Sequence, residues 1–409
     1  MNFDIRKKIY RTLTIALICV GIIPTVLAEV DDTNVNNPEG TTITNSSDAY
    51  AVELDNGGTF TVINNGTISA TANSDPVGVG LENSTTLTTF TNSGTISAVA
   101  SQSEAYSIYT YNSIITDLTN TGTIRAESTD GYDTAYGIYN TTSTITSLTN
   151  TGTISGEAGN DGGYGIYNDR GTITTLNNSG TIKAVVADDS AYGIYNDEGT
   201  ITNLTNAGTI RGEAGGVYGY GIYNDGGSTI TNLTNTGTIS GTEYDVGSWK
   251  NNSHIVNFNN LQSGLTYSDR LPRNYSTIIQ GNNYGQLFIE GTPTESSTGD
   301  TVYTPFAGNT DVGAHIPSGT YTNVMRGMPD ANLHSTISGT LTGDGVNSVG
   351  TVSWELTEAS TNNWNLTTSG GTYTYIGKDN TQNAINQTAS NVGGVFKNLS
   401  AAGNFANMT

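Results

Sequence analysis

A glycine opens a Gly-Thr-Ile or closely similar element at Gly66, Gly94, Gly122, Gly152, Gly180, Gly208 and Gly237, at steps of 28, 28, 30, 28, 28 and 29 residues. A fixed period of this size dictates a repeat architecture, in which each unit is one small structural element stacked on the next. Two other elements keep the same period. Tyr-Gly-Ile-Tyr-Asn begins at Tyr136, Tyr164, Tyr192 and Tyr220, with weaker copies opening at Tyr50 and Tyr106. Ile-Thr-x-Leu-Thr-Asn or a close variant begins at Ile145, Ile173, Ile201 and Ile230. Each unit therefore holds three short β-type stretches separated by turn residues. None is long or apolar enough to build a core alone.

Stacking solves that problem. If one repeat is one coil, strands of successive coils pair in parallel about 4.8 Å apart, and equivalent side chains lie above one another. Four positions before the glycine stand Val62, Phe90, Leu118, Leu148, Leu176, Leu204 and Leu233, and two after it Ile68, Ile96, Ile124, Ile154, Ile182, Ile210 and Ile239. Burying each such side chain contributes roughly 1.5–3 kcal/mol, which makes these columns the natural interior. In Ile124-Arg125-Ala126-Glu127 and Ile210-Arg211-Gly212-Glu213 charges alternate with apolar or small residues, as a one-sided strand requires. A polar column, Asn64, Asn92, Asn120, Asn150, Asn178, Asn206 and Asn235, sits two residues before the glycine. Stacked amides at a corner can bond along the stack and cover backbone groups left unpaired there.

Competing repeat folds fit worse. The Leu-x-x-Leu-x-Leu signature of leucine-rich repeats does not occur, and propeller blades need roughly 40–50 residues. With 51 Gly and only 12% charged residues, the composition favours strands and tight corners over helical repeats. The expected fold class is all-β: a right-handed parallel β-helix of about seven to eight coils of ~28 residues, then a β-rich C-terminal cap module and a short helical tail.

Residues 1–28 read as an export signal. Arg6, Lys7, Lys8 and Arg11 form a basic start, Leu13 to Ile23 a short apolar run, and Val26-Leu27-Ala28 a cleavage site after Ala28. The run is too short to span a bilayer, and no later stretch is apolar enough, so no transmembrane helix is expected in the mature chain. The leader carries net +3, so its loss takes the chain from −22 to −25. So acidic a surface repels phosphate backbones and argues against nucleic acid. Cys19, the sole cysteine, leaves with the leader, so packing rather than disulfides must hold the exported chain.

The remaining organisation is a polar lead-in at 29–47, repeats over 48–262, a β-rich module at 263–376 and the start of a linker helix at 377–409. Trp354 and Trp364 give the module large buried anchors. A cap is physically required, because an uncovered last coil invites edge-to-edge aggregation. Ile385, Val392, Phe396 and Leu399 form one helical stripe in the tail.

Signatures of chemistry are few. His254, His315 and His334 have no second ligand at metal spacing, and no His-Glu-x-x-His, nucleophile-elbow serine or phosphate loop occurs. One acid per coil follows Tyr-Gly-Ile-Tyr-Asn, at Asp169, Asp197 and Asp225. Carboxylates about 5 Å apart repel, and calcium could bridge them through oxygen ligands, but the expected reading is a turn whose tips are solvated. Arg125, Lys183 and Arg211 occupy equivalent outward positions. They keep open a second reading, a secreted β-helical polysaccharide lyase or hydrolase. No catalytic residue and no cofactor is assigned, and the chain is expected not to be an enzyme.

The Tyr-Gly-Ile-Tyr-Asn, Thr-Ile-Thr-x-Leu-Thr-Asn and Thr-Gly-Thr-Ile repeats between Tyr50 and Ile239 resemble the passenger region of autotransporters, the self-exporting surface proteins of Gram-negative bacteria (type V secretion). So does the segment from Leu271-Pro272-Arg273-Asn274-Tyr275 through Tyr284-Gly285 to the stretch Trp354–Leu366, which looks like the β module placed before the translocator. Thr381 to Phe396 looks like the start of the linker that threads the pore. The resemblance implies a structural stalk or adhesin-type scaffold at the cell surface, in the outer membrane or outside the cell. Its partners would be protein or glycan surface molecules of a host or neighbouring cell. It also implies an outer-membrane barrel of about 12 strands in a full-length form, which these residues do not contain.

Overall fold

The computed structural model describes residues 26–27, 30–46, 50–129, 133–249, 252–294, 301–305, 315–345 and 348–375. Most of the leader and the expected helical tail at 377–409 lie outside the described residues. Of the leader, Val26–Leu27 forms a short strand beside Thr42–Ile43. Among the described residues no helix is long and apolar enough to cross a membrane.

The chain winds as a parallel β-helix of about nine turns, each contributing one strand to each of three faces. The first face carries the Thr-Ile strands, such as Thr123–Ser128, Thr153–Ala158 and Thr181–Val186. The second carries the tyrosine strands Ala105–Tyr111, Ala135–Thr141, Gly163–Asp169, Ala191–Asp197 and Gly219–Asp225. The third carries the leucine strands, such as Ile114–Asn120, Thr144–Asn150 and Thr172–Asn178. Pairing is residue for residue: Leu118, Leu148, Leu176, Leu204 and Leu233 are consecutive partners, as are Ile124, Ile154, Ile182, Ile210 and Ile239. All ten are at most 1% exposed.

At the corner between the leucine and Thr-Ile strands the amide column closes. Asn92 Nδ2 donates to Asn120 Oδ1 at 2.7 Å, Asn120 to Asn150 at 2.7 Å, Asn150 to Asn178 at 2.8 Å, Asn178 to Asn206 at 2.8 Å and Asn206 to Asn235 at 2.9 Å. The periodic glycine follows from close approach at this corner, because a Cβ on Gly122 would lie 2.0 Å from the carbonyl oxygen of Gly94.

The helix is longer at both ends than the glycine count indicates. The polar stretch at 29–47 supplies a coil, with Val30–Asp31, Val35–Asn37 and Thr42–Asn45 on the three faces. Val35 and Ile43 occupy its interior at 4% and 2% exposure, and Val30 packs against the core partly buried. Downstream, parallel pairing runs on past residue 262 through Leu265–Arg270, Asn274–Thr277, Leu287–Thr294 and Val302–Thr304. The leucine column continues there as Phe258, Tyr275 and Tyr303, all buried. Larger rings replace aliphatic side chains while the period is lost.

Antiparallel strands then cover the end: Gly319–Arg326, Ser348–Ser360 and Asn363–Ser369. Trp354 packs edge-on against Tyr303 with ring centroids 5.8 Å apart. Trp364 Nε1 donates to the Met328 carbonyl at 2.9 Å. Both tryptophans are at most 5% exposed, so they act as the module's core.

Candidate functional site: an aromatic face with acidic margins

Two tyrosines per coil project from the second face. A strict two-residue alternation would send Tyr136 and Tyr139, three apart, to opposite sides of the strand. A local irregularity at the intervening glycine prevents this. Tyr164 pairs with Tyr192 and Ile166 with Ile194, and Gly165 lies between them without a partner in the register. A Cβ on Gly165 would lie 2.8 Å from the interior Ile182 Cγ2, so glycine and isoleucine both turn inward and both tyrosines turn outward.

The rings form two adjoining columns. In the first, Tyr106, Tyr136, Tyr164, Tyr192 and Tyr220 follow at centroid distances of 4.9, 5.1, 5.4 and 6.0 Å, with planes within 12° of parallel. In the second, Tyr139, Tyr167, Tyr195 and Tyr223 follow at 5.1, 5.0 and 5.5 Å. Partners within a coil touch as well, at 4.9 Å for Tyr164 and Tyr167. The second column is half-buried and the first more deeply so. The result is a continuous aromatic wall, extended by Tyr244, whose ring lies 5.7 Å from Tyr220.

Acids line both margins. Asp169, Asp197 and Asp225 are consecutive partners along one of them. Three outer tyrosine hydroxyls donate to the carboxylate of the next coil: Tyr139 to Asp169 at 3.1 Å, Tyr167 to Asp197 at 3.1 Å and Tyr195 to Asp225 at 3.3 Å. On the other margin Glu104 accepts from the Tyr106 hydroxyl, and Asp161 and Asp189 act on Tyr164. Burial first, and then these carboxylates, hold the wall's phenols well above their ordinary range, with Tyr192 pushed up to about 12. The wall is neutral and its hydroxyls stay hydrogen-bond donors.

The three aspartates are not equivalent, and a solvated tip describes Asp169 poorly while Asp197 and Asp225 are half-exposed. Asp169 is only 7% exposed. Burial raises its pKa, but Arg170 at 2.9 Å and Thr141 at 2.9 Å more than offset this and hold the carboxyl below its ordinary value. Asp197 is raised by burial, helped by Asp225 and Asp169 and opposed by Tyr167. As to calcium, Asp169, Asp197 and Asp225 stand in single file, each engaged by a phenol, and do not surround a common point. Among the described residues the acids whose ligand atoms lie within 4.8 Å of one another are Asp31, Asp32 and Asp55, at the opposite end of the chain.

The first face carries ion pairs instead. Glu157 bridges Arg125 at 2.7 Å and Lys183 at 3.0 Å, and Arg211 pairs with Glu213. These cations therefore spend their charge on carboxylates of their own coil or an adjacent one.

Sequence reasoning singled out the aspartates and missed the wall, although its signal was the second tyrosine of each Tyr-Gly-Ile-Tyr-Asn. It also missed a second amide column, in which Asn140, Asn168, Asn196 and Asn224 bond in series at 2.7, 2.7 and 2.8 Å. No family model matches the chain, and neither does any curated protein or solved structure.

Proposed function

We propose that this chain is the exported, surface-displayed passenger of an autotransporter-type protein, a rigid stalk whose outer faces serve as an adhesin-type binding scaffold. The observation that carries this reading is the aromatic wall. A coil needs only its interior columns to fold, yet one outer face repeats two tyrosines per coil from Tyr106 to Tyr223. Aromatic side chains offer large, stiff contact area with a polar tip, which suits recognition of protein or glycan at a cell surface.

The leader-like start and the cysteine-free mature sequence support export. The capped end and the even stacking of coils support a rod that holds its outer face away from a membrane. The residue classes used by polysaccharide lyases are present on the first face, but there Arg125, Lys183 and Glu157 neutralise one another.

The test is display and adherence. The chain joined to an outer-membrane translocator is expected to be accessible to external protease on intact cells and to increase their adherence to other cells. Retention inside the cell sinks the display reading. Unsaturated products released from pectate or alginate by the purified chain would replace it with the lyase reading.

A further inference from the structure

The aromatic wall is an unpartnered sheet face, and its charge states what would cover it. Two coils bring one acid before the tyrosine pair and one after it, Asp161 with Asp169 and Asp189 with Asp197; Glu104 and Asp133 precede the two earlier pairs, and Asp225 follows the pair of Tyr220 and Tyr223. Where the aspartate row ends, exposed aromatics take over. Tyr111, 46% exposed, pairs with Thr141, whose hydroxyl donates to Asp169. Trp249, 38% exposed, follows the strand beside Asp225 and donates its backbone N–H to Asn224 at 2.9 Å. Among the described residues the basic side chain on this margin is Arg170, paired with Asp169.

We propose that this face binds an extended aliphatic polyamine lying along the stack, its ammonium groups seated on the Asp197 and Asp225 edge and its methylenes against the adjoining outer tyrosines. Charge complementarity selects a cation, and aromatic rings beside carboxylates strengthen that preference. Spacing selects the kind of cation. Carboxylates recur once per coil, about 4.8 Å apart, whereas side chains on one face of an extended lysine-rich peptide recur about every 6.7 Å and fall out of step. Ammonium groups separated by three methylenes lie about 5 Å apart when extended and keep step, and spermine carries such a run at each end. The inference deepens the binding-scaffold reading by naming a ligand class, and it rests on that reading.

The test uses spermine and the purified chain at low ionic strength, followed by calorimetry and tryptophan fluorescence. Trp354 and Trp364 are buried at 5% and 4% exposure, so a change on binding reports Trp249. Saturable binding is expected, weakened about tenfold by Asp197→Asn with Asp225→Asn. Glu39→Gln with Asp117→Asn, the same charge change on exposed sites elsewhere, is expected to leave affinity within about twofold. Equal losses in the two double variants would mean diffuse attraction to an acidic protein and overturn the proposal. Tighter binding of calcium chloride, with release of spermine, would overturn it in favour of a metal. Trp249→Ala keeps the aspartates and is expected to weaken binding severalfold, which covers a failure of the double variant to fold. Spermine binding without cell adherence would sink the adhesin reading alone. Adherence without spermine binding would sink this proposal alone.

Discussion

Replacing Asn178 by aspartate changes one atom in the amide column and reverses its hydrogen-bonding sense. Asn178 is 2% exposed. Its Nδ2 donates to Asn206 Oδ1 at 2.8 Å, to the Thr209 carbonyl at 3.1 Å and to the Gly180 carbonyl at 3.3 Å, while its Oδ1 accepts from Asn150 at 2.8 Å. An ionised aspartate would point an oxygen at three oxygens. Each lost bond costs about 1 kcal/mol and a buried unpaired charge several more, so stability at neutral pH should fall by about 4 kcal/mol or beyond. Protonation restores one donor, to Asn206, and removes the charge. The folded-state pKa of the new carboxyl therefore lies above its unfolded value of about 3.9. The folded state binds the proton more tightly, so the variant regains stability relative to its parent as pH falls through the folded pKa. The recovery is complete below the unfolded one. Asn178→Ala, which cannot titrate, should lose about 2–3 kcal/mol at every pH. Urea unfolding followed by circular dichroism at several pH values tests this, and a separate early transition is expected because one weak interface splits a stack. Equal stability of the parent and Asn178→Asp at neutral pH would refute the reasoning.

Further perturbations separate interior from surface. Ile166 is fully buried, so Ile166→Asp should cost about 4 kcal/mol or more in a thermal or urea melt, with unfolding of the surrounding coils. Asp169→Ala, losing Thr141 and the half-exposed Arg170, should cost about 1–2 kcal/mol. Equal effects would contradict the orientation of the second face. Glu198 holds a left-handed φ of 49° beside Asp197, so Glu198→Gly should stabilise the chain by about 1 kcal/mol in the same melts; destabilisation would contradict it. Carbon-detected NMR titration should find Asp169 below and Asp197 above the ordinary carboxylate value. With those directions Asp169 loses its stabilising contribution as pH falls, whereas Asp197 is relieved by protonation; the reverse order would refute the assigned partners.

The columns were legible in the sequence because stacking demands like on like: Leu148 meets Leu176 and Asn150 meets Asn178 at the same spacing in sequence and in register. What the period could not carry was missed. Beyond Leu233 the same column passes to Phe258, Tyr275 and Tyr303, but coil lengths change to 25, 17 and 28 residues, and the aliphatic signature disappears. The backbone kept its pairing after the pattern stopped announcing it. In the aromatic wall the obstacle was local. Two tyrosines three residues apart read as facing opposite ways, and only the inward turn of both Gly165 and Ile166 brings them together.

The wall also has a structural explanation, and magnitudes decide how far it reaches. Stacked aromatic pairs contribute about 0.5–1.5 kcal/mol each beyond buried area, so columns spanning five coils stabilise the rod appreciably. That accounts for rings but not for what surrounds them. Phenylalanine would stack as well and would not need an acceptor, whereas the phenols of Tyr139, Tyr167 and Tyr195 are each tied to an aspartate one coil away. Nor does stacking call for that aspartate: a row of carboxylates on adjacent coils repels itself, and the burial and mutual repulsion that raise Asp197 measure the cost. A purely structural wall would shed those charges or alternate them with lysine, as the first face does with Arg125, Glu157 and Lys183. Like charge beside these half-buried rings is what the proposed polyamine would neutralise.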